Sequence, residues 1–519
     1  MTENKYVGWL VYALTAAALA VIFYISATVK GVSGSAGISQ EYEMKLFDKA
    51  SVMTVDIIMP DEKWQEFLDN AVKEEYYDCD VVINGETFYN VGIRAKGNTS
   101  LTNIAEDEDT DRYSFKIKFD EYVSKQTCYG LDKLVLNNNY ADATNMKEAL
   151  IYDMFEYLDA DASLYNYSKI SVNGKYIGVY LALEGVEDSF LRRNYGTKSG
   201  NLYKPENMGF QDAPSDKRMP EDFPKGGPEG FPENGKMPED FPEGGPGGGP
   251  GGMGSEGGSN LNYTDDDPDS YSTIWEGEIG NTSKADHQRV IEALRAISEG
   301  DASSAEKYMD VDNLLKYMAV HEFAVNNDSL SGNMAHNYYL YESGGKLNII
   351  PWDYNLSWGG MGSKDSGDAS SIINDPVDDS WGCTDFFDIL LENEEYRSRY
   401  HEYLEMLVDY VENGQYDALM KRLHEQTDNL VASDPTAFYT YEEYAAAADV
   451  LDKVIRLRAE SIKGQVEGVI PSTSEGQRED GSHLIDAAGI DTSVMGTMKA
   501  GKSEPGGSEG FFKRRKYYD

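Results

Sequence analysis

The sequence predicts an α+β fold, and three observations carry that reading. Hairpin signals crowd the first part of the chain, and amphipathic helical periodicity fills the last part. Between them, composition collapses to Gly, Pro, Glu, Asp and Met. At 519 residues the chain holds one large domain or two ordinary ones, with ample material for a core.

Residues 6–29 form an uncharged, mostly apolar run that would extend about 36 Å as a helix, enough to span a bilayer. Tyr6, Trp9 and Tyr24 sit near its ends, where amphipathic rings favour the interface. Gly34-Ser35-Ala36 offers a cleavage site, but the run exceeds the length of a signal-peptide core. The expectation is residues 1–30 as a stub and transmembrane anchor. It places the protein as single-pass in the cell membrane; Lys5 and Lys30 flank the run one on each side and leave the topology open, with the extracytoplasmic side favoured for the domain. Residues 31–40 read as a linker and 41–470 as the folded domain.

Within that domain an extended strand is expected over 45–59 and a helix over 61–73. A hairpin over 76–90 turns at Asn84-Gly85, the strongest two-residue turn signal. The loop Arg94-Ala-Lys96-Gly97-Asn98-Thr-Ser100 leads to a strand over 113–119 that places Ser114, Lys116 and Lys118 on one face. A short apolar strand over 134–136 runs into Asn137-Asn-Asn139. Asp142 or Thr144 then caps a helix reaching about residue 158. A second hairpin turns at Asn173-Gly174, and its return strand runs into Glu184-Gly185-Val186.

Over 208–259 Pro and Gly are too dense for helix or sheet, and a disordered insertion is expected. Met219-Pro-Glu-Asp-Phe-Pro224 recurs there as Met237-Pro-Glu-Asp-Phe-Pro242. Helical patterning resumes over 286–298 and 311–324, then over 385–413, 415–430 and 441–466. Residues 471–519 read as a polar, disordered tail with a basic end, Lys513-Arg-Arg-Lys516.

Charge narrows the partners. Against 46 basic residues stand 91 acidic ones, a net charge of −45, which repels nucleic acid and favours basic or metal-bearing partners. An anionic nucleotide would need a local cluster of Lys, Arg and metal. Cys79, Cys128 and Cys383 lie far apart without CxxC spacing, which excludes a zinc ribbon or a disulfide framework. No His/Cys cluster supports zinc.

The densest chemistry lies between residues 326 and 355. Asp328 is followed five positions later by Asn333; a hairpin turning at Gly344-Gly345 then delivers Asp353 at the end of its second strand. Asp and Asn beside Gly and Ser are ordinary turn formers. In this order, however, they match the acidic layout of phosphoryl-transfer sites, where one Asp receives the hydroxyl proton while an Asn and a second Asp hold magnesium. His336 is expected to donate a hydrogen bond that shapes the loop. Trp352 and Trp358 offer faces for a purine or a sugar. Upstream lie a basic Gly loop (Arg94, Lys96, Asn98, Ser100), a strand Lys118, a helix Glu148, and a hinge-like strand end at Glu184 and Val186. Together these would hold phosphates and adenine.

At this point the chain resembles the spore-coat protein CotH kinase family, a group of atypical protein kinases, from about residue 52 to 465. The resemblance rests on Val91-Gly-Ile-Arg94-x-Lys96-Gly97-Asn98-x-Ser100, Leu136-Asn137-Asn-Asn139-Tyr-x-Asp142, Gly178-Val-Tyr180-Leu and Asn201-Leu-Tyr203-Lys204. It extends to His336-Asn337-Tyr-Tyr-Leu-Tyr341, Ile350-Pro-Trp-Asp353 and Arg456-Leu-Arg458. It implies a kinase-like two-lobed fold, ATP, magnesium, and transfer to Ser or Thr of a protein. Asp328 takes the place of the catalytic-loop acid and Asp353 that of the metal-binding acid. Asn333, rather than Asn337, is carried over as the second metal ligand. The acidic surface suits a Lys/Arg/Ser-rich acceptor. The apolar amino-terminal run and the Gly/Pro insertion depart from the family pattern and suggest a membrane-tethered relative. The alternative is a non-catalytic adhesion or scaffold protein that keeps the fold.

Overall fold

The computed structural model describes residues 37–498 apart from 198, 207–255, 301, 333, 362–368 and 380–383. Seven strands open the chain: β1 (Met53–Ile58), β2 (Tyr77–Ile83), β3 (Glu86–Lys96), β4 (Ser114–Lys118), β5 (Lys133–Asn137), β6 (Tyr165–Val172) and β7 (Lys175–Glu184). They close into a barrel in the order β1-β2-β3-β4-β5-β7-β6. Closure depends on β1, which pairs antiparallel with β2 and parallel with β6, from Met53 opposite Ser168 to Ile57 opposite Val172.

Both Asn-Gly turns form as left-handed pairs, with φ of 50° and 85° at Asn84-Gly85 and of 50° and 78° at Asn173-Gly174. That is the twist a two-residue hairpin needs.

Side-chain alternation explains why β7 is apolar almost throughout. Tyr180 and Ala182 enter the barrel core, where Tyr180 stacks on Phe115 with ring centroids 5.8 Å apart. Val179, Leu181 and Leu183 point the other way, into a second core. A strand buried on both faces loses the polar half of its pattern. That second core contains α1 (Lys147–Tyr157) and α2 (Val311–Ala324). It also contains the long helices α3 (Glu394–Glu412), α4 (Gln415–Ala432) and α5 (Tyr441–Val466). Four further strands, β8 (Asn201–Tyr203), β9 (Glu278–Ile279), β10 (Tyr338–Ser343) and β11 (Lys346–Pro351), form a sheet in the order β11-β10-β8-β9.

A buried ion pair ties the barrel to the helices. Arg112, just before β4, binds both carboxylate oxygens of Asp434, beyond α4, at 2.9 and 2.8 Å. It also donates to the carbonyls of Asn138 and Val179. Gly178 leaves room for it: a Cβ there would lie 2.4 Å from the guanidinium.

Two expectations are corrected. The chain does not form the two-lobed kinase-like arrangement; its mixed α+β content is organised around the closed seven-stranded barrel. Hairpin signals report neighbouring strands, whereas closure depends on β1 meeting β6 far along the chain. The second correction concerns the membrane. Among the described residues no helix is long and apolar enough to cross one. The longest, α5, is studded with charge. The run over 6–29 lies outside the described residues, so the anchor, the single-pass location and the extracytoplasmic side are withdrawn.

Smaller differences arise from capping and packing. Residues 41–46 are a helix, and the strand begins only at Met53. Asn393 caps α3 and splits the helix expected over 385–413. The expected tail is folded as far as residue 498: a helix spans Ser474–Glu479, and Thr492 and Met495 are buried. Of the insertion, residues up to 255 lie outside the described part.

Candidate functional site

One cavity of about 380 Å³ lies where the barrel meets the helical body. Asp328 reaches it from the loop after α2. Its carboxylate accepts from His336 Nε2 at 2.6 Å and from Asn337 Nδ2 at 3.0 Å, and the same amide bonds the Asp328 carbonyl at 2.8 Å. His321, fully buried on α2, contacts Ser331 at 2.7 Å and Ser329 at 3.2 Å, bracing that loop. Burial pushes its pKa down to about 3, so it braces the loop as a neutral ring.

Asp353 follows β11 with φ of 61°, and Val325, Ala335 and Asn337 have φ of 46°, 46° and 58°. Each such non-glycine residue costs of order 1–3 kcal/mol, and strain of this kind clusters where side chains are aimed for function.

Cations share the lining with carboxylates. Arg94, Lys96, Lys116, Lys133 and Lys204 all line the cavity of a chain whose net charge is −45. Lys116 is held well below the usual lysine range by burial and then by the other four cations. Burial lowers Lys133 to about 8, although it also forms an ion pair with Glu187. Arg94 pairs with Glu74 at 2.6 Å. Lys204 pairs with Glu206, so three of the five cations already face carboxylates of the same lining, while burial and like charge leave Lys116 as the most perturbed of them.

A relay joins cation to carboxylate: Lys96 Nζ donates to Asn137 at 2.7 Å, and Asn137 Nδ2 donates to Glu148 Oε2 at 2.7 Å. The other Glu148 oxygen has no hydrogen-bond partner. Burial, and then the negative charge of Asp353, push Glu148 up to about 8. A buried carboxylate with an orphaned oxygen, facing a second carboxylate, suits a hard divalent cation, and the residues present fit magnesium. Among the described residues no group of three or more His, Cys, Asp or Glu forms a metal cluster. Water and phosphate would therefore complete any shell.

The cavity collects Asp328, Asp353, Arg94, Lys96, Asn98, Ser100, Glu148 and Val186 from the expected set. Two members go elsewhere. Lys118 is tied to Glu121 at 2.8 Å and does not line the cavity; Lys116, two residues earlier on β4, does. Glu184 is fully buried, pairs with Arg193 at 2.6 Å, and accepts from Tyr42 and from the Leu164 amide. It is a structural anchor beside the cavity wall. Asn333 lies outside the described residues, and Asn337 is committed to Asp328.

Lys133, Lys204 and Asn137 carry no distinctive signal in one dimension, although Lys204 closes the motif Asn201-Leu-Tyr203-Lys204 and Asn137 opens Asn137-Asn-Asn139. Trp358 is fully buried with its indole N–H on the Phe323 carbonyl, so it offers no face to a sugar.

Fold and cavity define a class: an α+β protein whose barrel and helical body enclose a polar cavity lined by both cations and carboxylates. The chain belongs to the CotH kinase protein family, which matches residues 93–462. It is 24% identical over 360 residues to the inner spore coat protein H of Bacillus subtilis (strain 168), over 68% of this chain and 83% of that protein.

Proposed function

We propose that this protein transfers the γ-phosphate of ATP, with magnesium, to Ser or Thr hydroxyls of a protein, with a Lys/Arg/Ser-rich acceptor favoured by the acidic chain. The observation that carries the reading is the joint lining of one cavity by Asp328, Asp353 and Glu148 with five cations. Asp328 accepts the acceptor's proton, its carboxylate oriented by His336 and Asn337. Asp353 and Glu148 are the residues that would hold magnesium, which supplies charge neutralisation at the phosphates. Arg94, Lys96 and Lys116 offset charge as it shifts toward the leaving oxygen. Phosphoryl transfer of this kind depends on positioning and electrostatics, both of which the preset walls provide. Gly185 and Val186, with Val135, form a less polar stretch of the lining suited to the base.

The test is phosphate transfer from labelled ATP to a basic, Ser-rich protein. Asp328→Ala and Asp353→Asn are expected to lose transfer while still unfolding as a single cooperative unit. Full activity in Asp353→Asn would refute the site assignment.

A further inference from the structure

Beyond the matched residues 93–462 the chain comes back to the cavity as a strap over 492–498. The strap touches both loops that lead to the carboxylates of Asp353 and Glu148. On the loop that leaves Asp353, the Gly360 carbonyl accepts from the Met498 amide at 2.9 Å, and a Cβ on Gly359 would lie 3.3 Å from the Thr492 hydroxyl. On the turn that leads into α1, the Ala143 amide donates to the Met495 carbonyl at 3.0 Å. Gly496 passes so close to this turn that a Cβ would lie 2.6 Å from the Ala141 carbonyl oxygen and 2.9 Å from the Ala143 nitrogen. Thr492 and Met495 are buried, and Met498 lines the cavity.

That turn is strained. Asn139, Ala141 and Asn145 have φ of 60°, 60° and 53°, left-handed values in residues other than glycine. Backbone of this kind persists only where its surroundings over-determine it. Asn139 Nδ2 donates to Asn145 Oδ1 at 2.7 Å, and Asn355 Nδ2, from the loop after Asp353, donates to the Tyr140 carbonyl at 2.9 Å. The strap is a second tie between the same two loops. Glu148 is the second residue of α1, so a shift of the turn moves its carboxylate. Resting on the proposed phosphoryl-transfer reading, we propose that the strap is a positioning element of the metal site. Through Gly496 and the Met495 carbonyl it holds the turn over 139–145 so that Glu148 and Asp353 serve one cation. Groups that orient a metal ligand without touching the metal shift its affinity by about 10–100-fold.

The experiment titrates the full chain with divalent manganese, a paramagnetic stand-in for magnesium, and follows binding by electron paramagnetic resonance well below each variant's melting temperature. Binding that disappears in Asp353→Asn defines the site against the acidic surface. Gly496→Ala forces a Cβ into the turn and is expected to weaken that binding by about tenfold while keeping the wild-type circular dichroism spectrum. Gly489→Ala is the control: this exposed glycine has φ of 83° and open space around it, so its replacement strains the chain without touching the turn, and affinity is expected to hold. Thr492→Ala removes buried atoms from the strap without forcing a clash, with a smaller loss expected, and decides the test should Gly496→Ala not fold. Wild-type affinity in the folded strap variants, or an equal loss in Gly489→Ala, overturns this inference alone. Binding in Asp353→Asn equal to that of wild type overturns the metal-site assignment and this inference with it.

Discussion

Glu148 illustrates what one buried residue adds to the site. Desolvation and the Asp353 charge push it up to about 8, against an ordinary glutamate value of 4.5. The folded protein therefore holds a proton that the unfolded chain has already lost between those values. Folding is then linked to proton uptake, and stability falls as pH rises through the window from about 4.5 to about 8. In metal-free protein, Glu148→Gln is expected to flatten that fall relative to wild type, and magnesium is expected to reduce it, read as melting temperature against pH. A wild-type and Gln profile of the same slope would show that this carboxyl is not the titrating group. His321 shows the opposite use of burial: its ring stays neutral and keeps the Asp328 loop in place.

At the scale of elements, the barrel reaches the helical body through Arg112 and Asp434, side chains only 2% and 1% exposed. Removing one partner leaves an uncompensated buried charge, so Arg112→Ala is expected to cost about 3–5 kcal/mol in denaturant unfolding. A double replacement of both residues by apolar ones should cost less than that single change. A single change without effect would show that the pair does not fasten the two parts. Because Arg112 also bonds the Asn138 carbonyl beside the cavity wall, loosening it should disturb the site as well.

Local signals in the sequence were reliable where the physics is local. The Asn-Gly turns, the α1, α4 and α5 helices, and the hairpin carrying Asp353 were all legible, because turn chemistry and periodicity act over a few residues. Barrel closure was not legible, since β1 and β6 pair across more than a hundred positions of chain. The site divides in the same way. Asp328 and Asp353 announced themselves by type and order. Alternation puts Lys116 and Lys118 on one face of β4 but does not show how far along the strand the cavity reaches. Glu184 read as a hinge because a strand end and a buried ion pair look alike in one dimension.

For the whole molecule, the governing feature is a group of five cations gathered among carboxylates on one cavity of a strongly acidic chain. In the proposed reading a net charge of −45 repels ATP at long range, and binding would depend on Arg94, Lys96, Lys116, Lys133 and Lys204 overriding that field locally. In the same reading the global field would draw a basic acceptor toward the rim. Function in this reading requires the cations and carboxylates of the cavity to clasp a metal–triphosphate. A crystal structure of the protein with magnesium and a non-hydrolysable ATP analogue would decide it. The expected complex has a metal held by Asp353 and Glu148, with the triphosphate against Arg94, Lys96 and Lys116. An analogue bound away from this cavity, or a metal that leaves the second Glu148 oxygen without a partner, would contradict the clasp.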